Sequence, residues 1–256
     1  MTKPMIGAQL YTLREYEKTM PEIATTLKKV AAIGYKTVQV SGFGPADPQE
    51  VAKAAEDAGL QIVSTHTGWP RFLNELDKVI AEHKLWKCSH PAIGGLPEDY
   101  FCEEGIKRFL DELAPIAKRL QKEGMDFSYH NHNHELVKYG GKTWLAGIYD
   151  NSESSALKAE IDTYWITAGG GDPAEWVKRC SGRIPLLHCK DMIVTQKREQ
   201  RFAEIGEGNL NWKAILKQAE KSGVEYLLVE QDDCYDRDPF ESLAISHRNL
   251  ANWGYK

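Results

Sequence analysis

The sequence lacks the features of several classes of protein. Its five cysteines are odd in number, scattered and never spaced as Cys-x-x-Cys, which predicts reduced thiols and no structural zinc site. No apolar run reaches the roughly 20 residues of a membrane span, and Met1-Thr2-Lys3-Pro4 lacks the apolar core of a signal peptide. The formal net charge of −5 disfavours binding to nucleic acid or to an anionic membrane. We therefore expect a cytoplasmic protein.

A nucleotide-binding fingerprint is also missing. The run Gly169-Gly170-Gly171 lacks the G-x-G-x-x-G spacing directly after a strand, so it predicts a tight or mobile turn and no dinucleotide site. No Gly-rich phosphate-binding loop is evident elsewhere. A substrate without phosphate is therefore as consistent with the sequence as a sugar phosphate.

Short β-prone runs alternate with longer amphipathic stretches along the whole chain. The eight predicted strands are Met5–Leu10, Thr37–Gly42, Gln61–His66, His90–Gly94, Asp126–His132, Leu157–Asp162, Ile184–Asp191 and Glu225–Asp233. The intervening patterns predict helices, such as Met20–Ile33 with a Thr19/Glu22 capping box and Gly34 at its end. Three further helices are predicted to begin at the Asp-Pro pairs of Asp47, Asp172 and Asp238.

Strands that alternate with helices at these spacings predict a parallel sheet in the α/β class. No change of composition and no flexible linker divides the 256 residues, so residues 1–256 are expected to form one domain. Eight units and this length are typical of a single (β/α)8 TIM barrel. A doubly wound open sheet is the structural alternative.

The densest group of potential ligands lies in the heptapeptide 129–135, Tyr-His-Asn-His-Asn-His-Glu, at the end of the fifth predicted strand. Buried imidazoles cost free energy unless they have partners. At the end of a strand they can instead face a metal ion or a polar substrate. Taken alone, the heptapeptide also fits a solvated polar turn, so its meaning depends on partners elsewhere in the chain.

Such partners follow the later strands, which each end in ionisable side chains. Because alternate residues of a strand share a face, four pairs are expected to point the same way: His130 with His132, Glu160 with Asp162, His188 with Lys190, and Glu230 with Asp232. In a barrel these strand ends meet at one mouth, where active sites of this fold lie. Carboxylate and imidazole without sulfur suit Mn²⁺, Mg²⁺, Co²⁺ or Zn²⁺. The structural alternative is a set of capping and core residues.

The sequence resembles the sugar phosphate isomerase/epimerase family, which has the xylose-isomerase-like barrel and includes inosose dehydratases and, more distantly, the endonuclease IV group. The resemblance spans the chain from Gln9-Leu10-Tyr11-Thr12 onwards. The segments that carry it are 129–135, 160–165, 169–173, 188–191, 206–209 and 229–232. It is specific for the fold and much less so for the substrate.

The resemblance implies a divalent metal held by Glu, Asp, His and Glu at the ends of strands five to eight. The last three correspond here to Asp162, His188 and Glu230. The position on strand five corresponds to His130, and Glu135 is the nearest carboxylate. We predict Glu135 as the fourth ligand, with the chain turning back after His132, and keep His132 as its substitute.

The same resemblance implies proton abstraction next to a carbonyl of a keto-sugar or polyol. Because one of the family's two glutamates is replaced, His130 or His132 is predicted as acid or base. Lys190 is predicted to stabilise an oxyanion. Isomerisation, epimerisation and dehydration, including dehydration of an inosose or a 3-keto-glycoside, share this first step and stay open. Predicted substrate contacts near strand ends are Gln9, Tyr11, His66, Trp69 and Trp165.

Two other functions are carried forward from the sequence. An endonuclease-IV-like nuclease would need more metal ligands and a basic rim, which the acidic composition disfavours. A sugar-binding barrel without activity is favoured by the altered strand-five position and disfavoured by Asp162, His188 and Glu230. The expected partner is a small sugar or polyol, and a homo-oligomer is left open.

Overall fold

The computed structural model describes residues 3–256, in which eight parallel strands close into a barrel. Each strand lies within one of the eight predicted runs. They are β1 (Met5–Gln9), β2 (Thr37–Val40), β3 (Gln61–His66), β4 (His90–Ile93), β5 (Ser128–His130), β6 (Lys158–Asp162), β7 (Leu186–Cys189) and β8 (Tyr226–Val229). Strand β1 pairs with both β2 and β8, which closes the sheet. The predicted TIM barrel is confirmed, and the doubly wound open sheet is excluded.

Helices cover the outside of the barrel and connect its strands. They are α1 (Met20–Ile33), α2 (Pro48–Ala58), α3 (Trp69–Asn74), α4 (Leu76–Leu85), α5 (Glu103–Lys122), α6 (Trp144–Asp150), α7 (Thr163–Ala168), α8 (Pro173–Arg179), α9 (Trp212–Ser222) and α10 (Pro239–Asn252). Between residues 3 and 256, none of the helices is both long and apolar enough to traverse a lipid bilayer.

Capping chemistry sets where several helices begin, as the sequence predicted. The carboxylates of Asp47, Asp172 and Asp238 each accept a backbone N–H from the first turn of α2, α8 and α10. At α1, the N–H of Thr19 donates to Glu22, and the helix ends at Gly34 with a φ of 126°. That positive φ is a conformation that favours glycine.

Several predicted strands are too long, and one of them ends where a new hairpin begins. The run Ile184–Asp191 forms β7 only as far as Cys189, and a separate hairpin follows that pairs Asp191–Val194 with Gln200–Ala203. The chain turns here because Asp191 lies outside the barrel sheet, where its carboxylate accepts backbone N–H groups of the next loop. A second hairpin, Lys138–Tyr139 with Lys142–Thr143, was not predicted, since each of its strands has only two residues.

Glu17, which follows the turn after β1, has a fully buried carboxyl group. Within residues 3–256, neither of its side-chain oxygens has a hydrogen-bond partner. Burial raises the pKa of Glu17 to about 9, with a smaller opposing effect from Lys18. The folded protein therefore holds Glu17 as the neutral acid at neutral pH.

We expect Glu17→Gln to make the protein more resistant to alkaline pH. Because the pKa of Glu17 is higher in the folded state, its contribution to the free energy of unfolding is complete below the unfolded-state pKa. That contribution is lost as the pH rises to about 9. The loss is on the order of 5 kcal/mol. Urea unfolding at pH 5 and pH 9 measures this loss. Relative to wild type, the free energy of unfolding of the variant should be higher at pH 9 than at pH 5. The exposed Glu15→Gln is the control, and an equal difference at both pH values would contradict the assignment.

Candidate metal centre

Four side chains from neighbouring strands converge at the mouth of the barrel. They are His130 at the end of β5, Asp162 at the end of β6, His188 on β7 and Glu230 just after β8. All four are buried, and one donor atom of each lies within 4.8 Å of the others. His130 Nε2 is 3.0 Å from Asp162 Oδ2, and His188 Nδ1 is 3.0 Å from Glu230 Oε2. This mixed nitrogen and oxygen set suits a divalent cation.

A second polar layer lies beneath this group, inside the barrel. Glu160 on β6 receives hydrogen bonds from Gln39 (2.7 Å) and His66 (2.8 Å), and its Oε1 is 3.1 Å from His188 Nε2. Burial opposes the charge of Glu160, but His188 and His66 outweigh it and lower the pKa. His66, Glu160 and His188 also lie close enough to form a ligand group. The ring nitrogens of His66 and His188, however, already contact the carboxylate oxygens of Glu160 at hydrogen-bond distance.

Lys190 brings a buried cation to the same mouth. Its Nζ lies 2.7 Å from Glu230 Oε2, 3.2 Å from Asp162 Oδ2 and 2.9 Å from Asp232 Oδ2. Burial opposes its charge, but Asp162 and Glu230 raise the pKa of Lys190 overall. It is therefore an ammonium ion at every physiological pH.

The histidines differ in charge because their neighbours differ. Burial, followed by the nearby His188, lowers the pKa of His130 to about 4. Burial and His130 lower the pKa of His132 to about 2. For His188 burial also opposes the charge, but Glu160 and Glu230 raise its pKa to about 10. His130 and His132 are thus neutral at pH 7, and His188 is an imidazolium ion until a cation replaces its proton.

Glu135, the predicted fourth ligand, lies outside the group of four. The chain does turn back after His132, as expected, but the turn places the Glu135 carboxylate against its own loop. Oε1 accepts the Tyr129 hydroxyl at 2.9 Å, and Oε2 accepts the N–H of His132 at 2.9 Å. Burial raises the pKa of Glu135 to about 7. His130 lies at the position for which Glu135 was proposed. Glu135 instead accepts hydrogen bonds that hold the loop of His132 in place.

A cavity of about 620 Å³ opens above the group of four. Its lining includes Tyr11, Arg14, Ser41, His66, Thr67, Gly68, Gly94, Gly95, His130, His132, Trp165, Lys190, Phe202, Glu230 and Asp232. A volume of this size suits a small-molecule ligand. Three of the predicted substrate contacts, Tyr11, His66 and Trp165, therefore border the cavity.

The other two predicted substrate contacts do not line this cavity. Trp69 is 2% exposed, and its indole N–H donates to the Tyr100 hydroxyl at 3.0 Å inside an aromatic cluster. Gln9 is fully buried, and its side chain accepts the N–H of Tyr11. Both residues follow or end a strand, but that position alone does not tell whether a side chain faces the mouth or the layer between barrel and helices.

The structure also reveals a carboxylate whose role the sequence did not indicate. Asp191 is fully buried and accepts five N–H groups, which belong to Met192, Gly206, Gly208, Leu210 and the Trp212 indole. A Cβ atom at Gly208 would collide with this carboxylate. Asp191 thereby fixes the loop that includes Phe202, which stacks on Tyr164 at 4.1 Å and closes one side of the cavity. The signal in the sequence was the pair of glycines at 206 and 208.

The barrel and its mouth define a class, and comparison with known families agrees. The family described as xylose isomerase-like TIM barrel matches residues 27–242. The chain belongs to this family.

Individual relatives are distant. A sugar phosphate isomerase/epimerase from Parabacteroides distasonis superposes with a TM-score of 0.82 at 24% identity, covering 98% of this chain and 94% of that one. An L-ribulose 3-epimerase gives 0.75 at 17% identity, covering 97% and 94%. The rhizopine catabolism protein MocC of Rhizobium meliloti is 24% identical over 156 residues, which is 55% of this chain and only 47% of the relative. These similarities establish the fold. The reaction has to be inferred from the residues of the site.

Proposed function

We propose that His130, Asp162, His188 and Glu230 hold one divalent cation. The observation that carries the proposal is a pair of buried atoms, His188 Nδ1 and Glu230 Oε2: within residues 3–256 neither makes a hydrogen bond of good geometry, although Lys190 Nζ lies 2.7 Å from the Glu230 oxygen. They lie 3.0 Å apart, and a cation between them would satisfy both. The far nitrogens are already engaged, His188 Nε2 by Gln39 at 2.6 Å and His130 Nδ1 by the Gly94 carbonyl at 3.4 Å. Such outer contacts are typical of histidine ligands.

The charge of the mouth agrees with a divalent ion. Asp162, Glu230 and Asp232 place three carboxyl groups at the mouth, against the single ammonium ion of Lys190. Glu160 lies one layer deeper and is bonded by Gln39 and His66. Once the proton of His188 has left, the carboxyl groups of the mouth outnumber its one ammonium ion, and one Mn²⁺, Co²⁺, Mg²⁺ or Zn²⁺ would offset the excess negative charge.

On this basis we propose a metal-dependent sugar isomerase or epimerase that removes a proton next to a carbonyl. When bound, the metal would polarise the carbonyl and the neighbouring hydroxyl oxygen. The cavity size and its polar floor suit a keto-sugar or polyol, and the solved structures that share this fold include sugar epimerases. A cytoplasmic location and a small sugar partner belong to the same proposal.

The residues around the cavity divide the work. Lys190, which is charged and fixed by three carboxylates, stabilises the negative charge that develops on the substrate oxygen. Asp232 is the carboxylate most open to the cavity, with 20% of its side chain exposed against 4% for Glu230 and none for Asp162. Asp232 and the neutral His132 are the groups we assign to proton transfer. Trp165 and Tyr11 supply apolar faces for the sugar.

Dehydration is the second candidate, and one observation favours it. The strand-five member of the group is His130, which donates no second carboxylate to the mouth. The proton exchange on opposite faces of the carbon that the family's two glutamates perform lacks the second glutamate here, whereas elimination of water needs one group to remove the proton and one to protonate the leaving hydroxyl. An inosose or a 3-keto-glycoside would be the corresponding substrate.

Solvent exchange tests both candidates. Protein stripped of metal and reloaded with Mn²⁺ or Co²⁺ is incubated in D2O with a panel of keto-sugars and inososes, and products are analysed by mass spectrometry. A gain of one deuterium with unchanged composition supports isomerisation or epimerisation, and loss of water supports the dehydratase. If the loaded protein binds sugars without either change, the chain is a binding barrel and the enzymatic proposal is wrong.

A further inference from the structure

A chain of hydrogen bonds crosses the barrel interior from β4 to β7. It begins at the backbone carbonyl of His90, which accepts the hydroxyl of Ser64 at 2.8 Å. A carbonyl can only accept, so this bond uses the single proton of the hydroxyl. The Ser64 oxygen is then left to accept, and Gln39 Nε2 donates to it at 2.9 Å.

The next link fixes the orientation of the Gln39 amide. Its Nε2 also donates to Glu160 Oε1 at 2.7 Å, so both amide protons meet oxygen acceptors. If the amide were turned over, its carbonyl would face the ionised carboxylate and a hydroxyl that has no proton to offer. The Gln39 carbonyl therefore points the other way, towards His188 Nε2 at 2.6 Å.

The last link reaches the proposed metal ligand. Because the Gln39 carbonyl can only accept, His188 must present a protonated Nε2 to it. A neutral imidazole carries one proton, so Nδ1 is then the bare nitrogen. That atom faces Glu230 Oε2 at 3.0 Å and Asp162 Oδ2 at 3.8 Å. The side chains of Ser64, Gln39 and His188 are all buried, which shields this series of hydrogen bonds from water.

We propose that Ser64 and Gln39 are positioning residues that hold His188 in its Nε2–H form, so that Nδ1 is the nitrogen offered to the cation. The inference rests on the proposed function, because it requires His188 to be a ligand. Ser64 acts at a distance: it bonds to Gln39 and to the His90 carbonyl, and its effect on His188 passes through the amide.

Ser64→Ala tests the proposal because the change touches no ligand. Without the hydroxyl, one amide proton of Gln39 loses its acceptor, and only the bond to Glu160 still opposes a turn of the amide. We expect Mn²⁺ or Zn²⁺ to bind about 10-fold more weakly to the stripped protein, as measured by calorimetric titration. Gln39→Leu should cost up to about 100-fold. The double variant should bind no more weakly than Gln39→Leu alone, since both changes break one chain.

Ser128→Ala is the matched control. Ser128 is a fully buried serine on β5, and within residues 3–256 its hydroxyl has no hydrogen-bond partner, so its loss should leave the affinity unchanged. As a second measurement, nitrogen-15 NMR of the Zn²⁺-loaded protein should show His188 protonated at Nε2 in the wild type and in Ser128→Ala. Thermal unfolding of each variant reports any loss of folding.

The outcomes separate the hydrogen-bonded series Ser64–Gln39–His188, called the relay below, from the metal site. Weakened binding in Ser64→Ala but not in Ser128→Ala, with the non-additive double variant, supports the relay. Equal affinity in wild type and Ser64→Ala, or a His188 protonated at Nδ1, overturns the relay and leaves the metal site standing. A wild-type protein that binds no divalent ion overturns the proposed function and the relay with it.

Discussion

Glu230→Gln is expected to release the bound metal ion and to abolish solvent exchange into the substrate. The amide keeps the shape of the side chain but removes a charged ligand that lies 3.0 Å from His188 Nδ1. Removing one partner of a buried charged group costs roughly 3–5 kcal/mol, which is about 10²–10⁴ in affinity. Metal analysis after dialysis should fall from near one equivalent to near zero. The rate of exchange should fall by at least about 10³.

Glu135→Gln is the matched comparison, because Glu135 is also fully buried and close to the mouth. Its oxygens hold Tyr129 and the His132 loop, so we expect this variant to keep its metal. The two variants together distinguish two assignments of the fourth ligand. If Glu135→Gln lost the ion and Glu230→Gln retained it, the group of four would be the wrong ligand set.

Lys190→Met should separate catalysis from metal binding. Loss of the ammonium removes the positive charge that faces the developing oxyanion, and removing one such group typically costs 10²–10³ in kcat. The carboxylates of Asp162 and Glu230 lose a competing cation, so the affinity for the metal should stay the same or rise. Steady-state kinetics and metal titration on the same preparation measure the two effects.

The control for Lys190→Met is Lys53→Met, which removes the same charge from an exposed position on α2. It should change neither kcat nor the metal content. A Lys190→Met protein with normal kcat would show that the ammonium only balances charge. A folded variant that had lost its metal would instead make Lys190 part of the cation site.

The sequence predicted the barrel and the place of the site for reasons that the structure makes explicit. Strand and helix signals were local, and the caps at Asp47, Asp172 and Asp238 are confirmed. The alternation of side chains along a strand brought Asp162 and Glu160 to one face, one layer apart. Because parallel strands end together, residues far apart in the chain could be expected at one mouth.

What the sequence could not predict depends on contacts across the barrel. The turn after His132 decides that Glu135 faces Tyr129, and nothing in the heptapeptide specifies this. The same holds for Gln39, which reaches from β2 to a histidine on β7. Trp69 was assigned to the mouth because it follows β3, but α3 turns its ring into the layer behind the barrel.

The most direct test of the metal site is anomalous diffraction from crystals of the Mn²⁺-loaded protein. We expect one strong peak within about 2.0–2.4 Å of His130 Nε2, Asp162 Oδ2, His188 Nδ1 and Glu230 Oε2. A peak beside Glu135, a peak between His66 and Glu160, or no peak at full loading would contradict it.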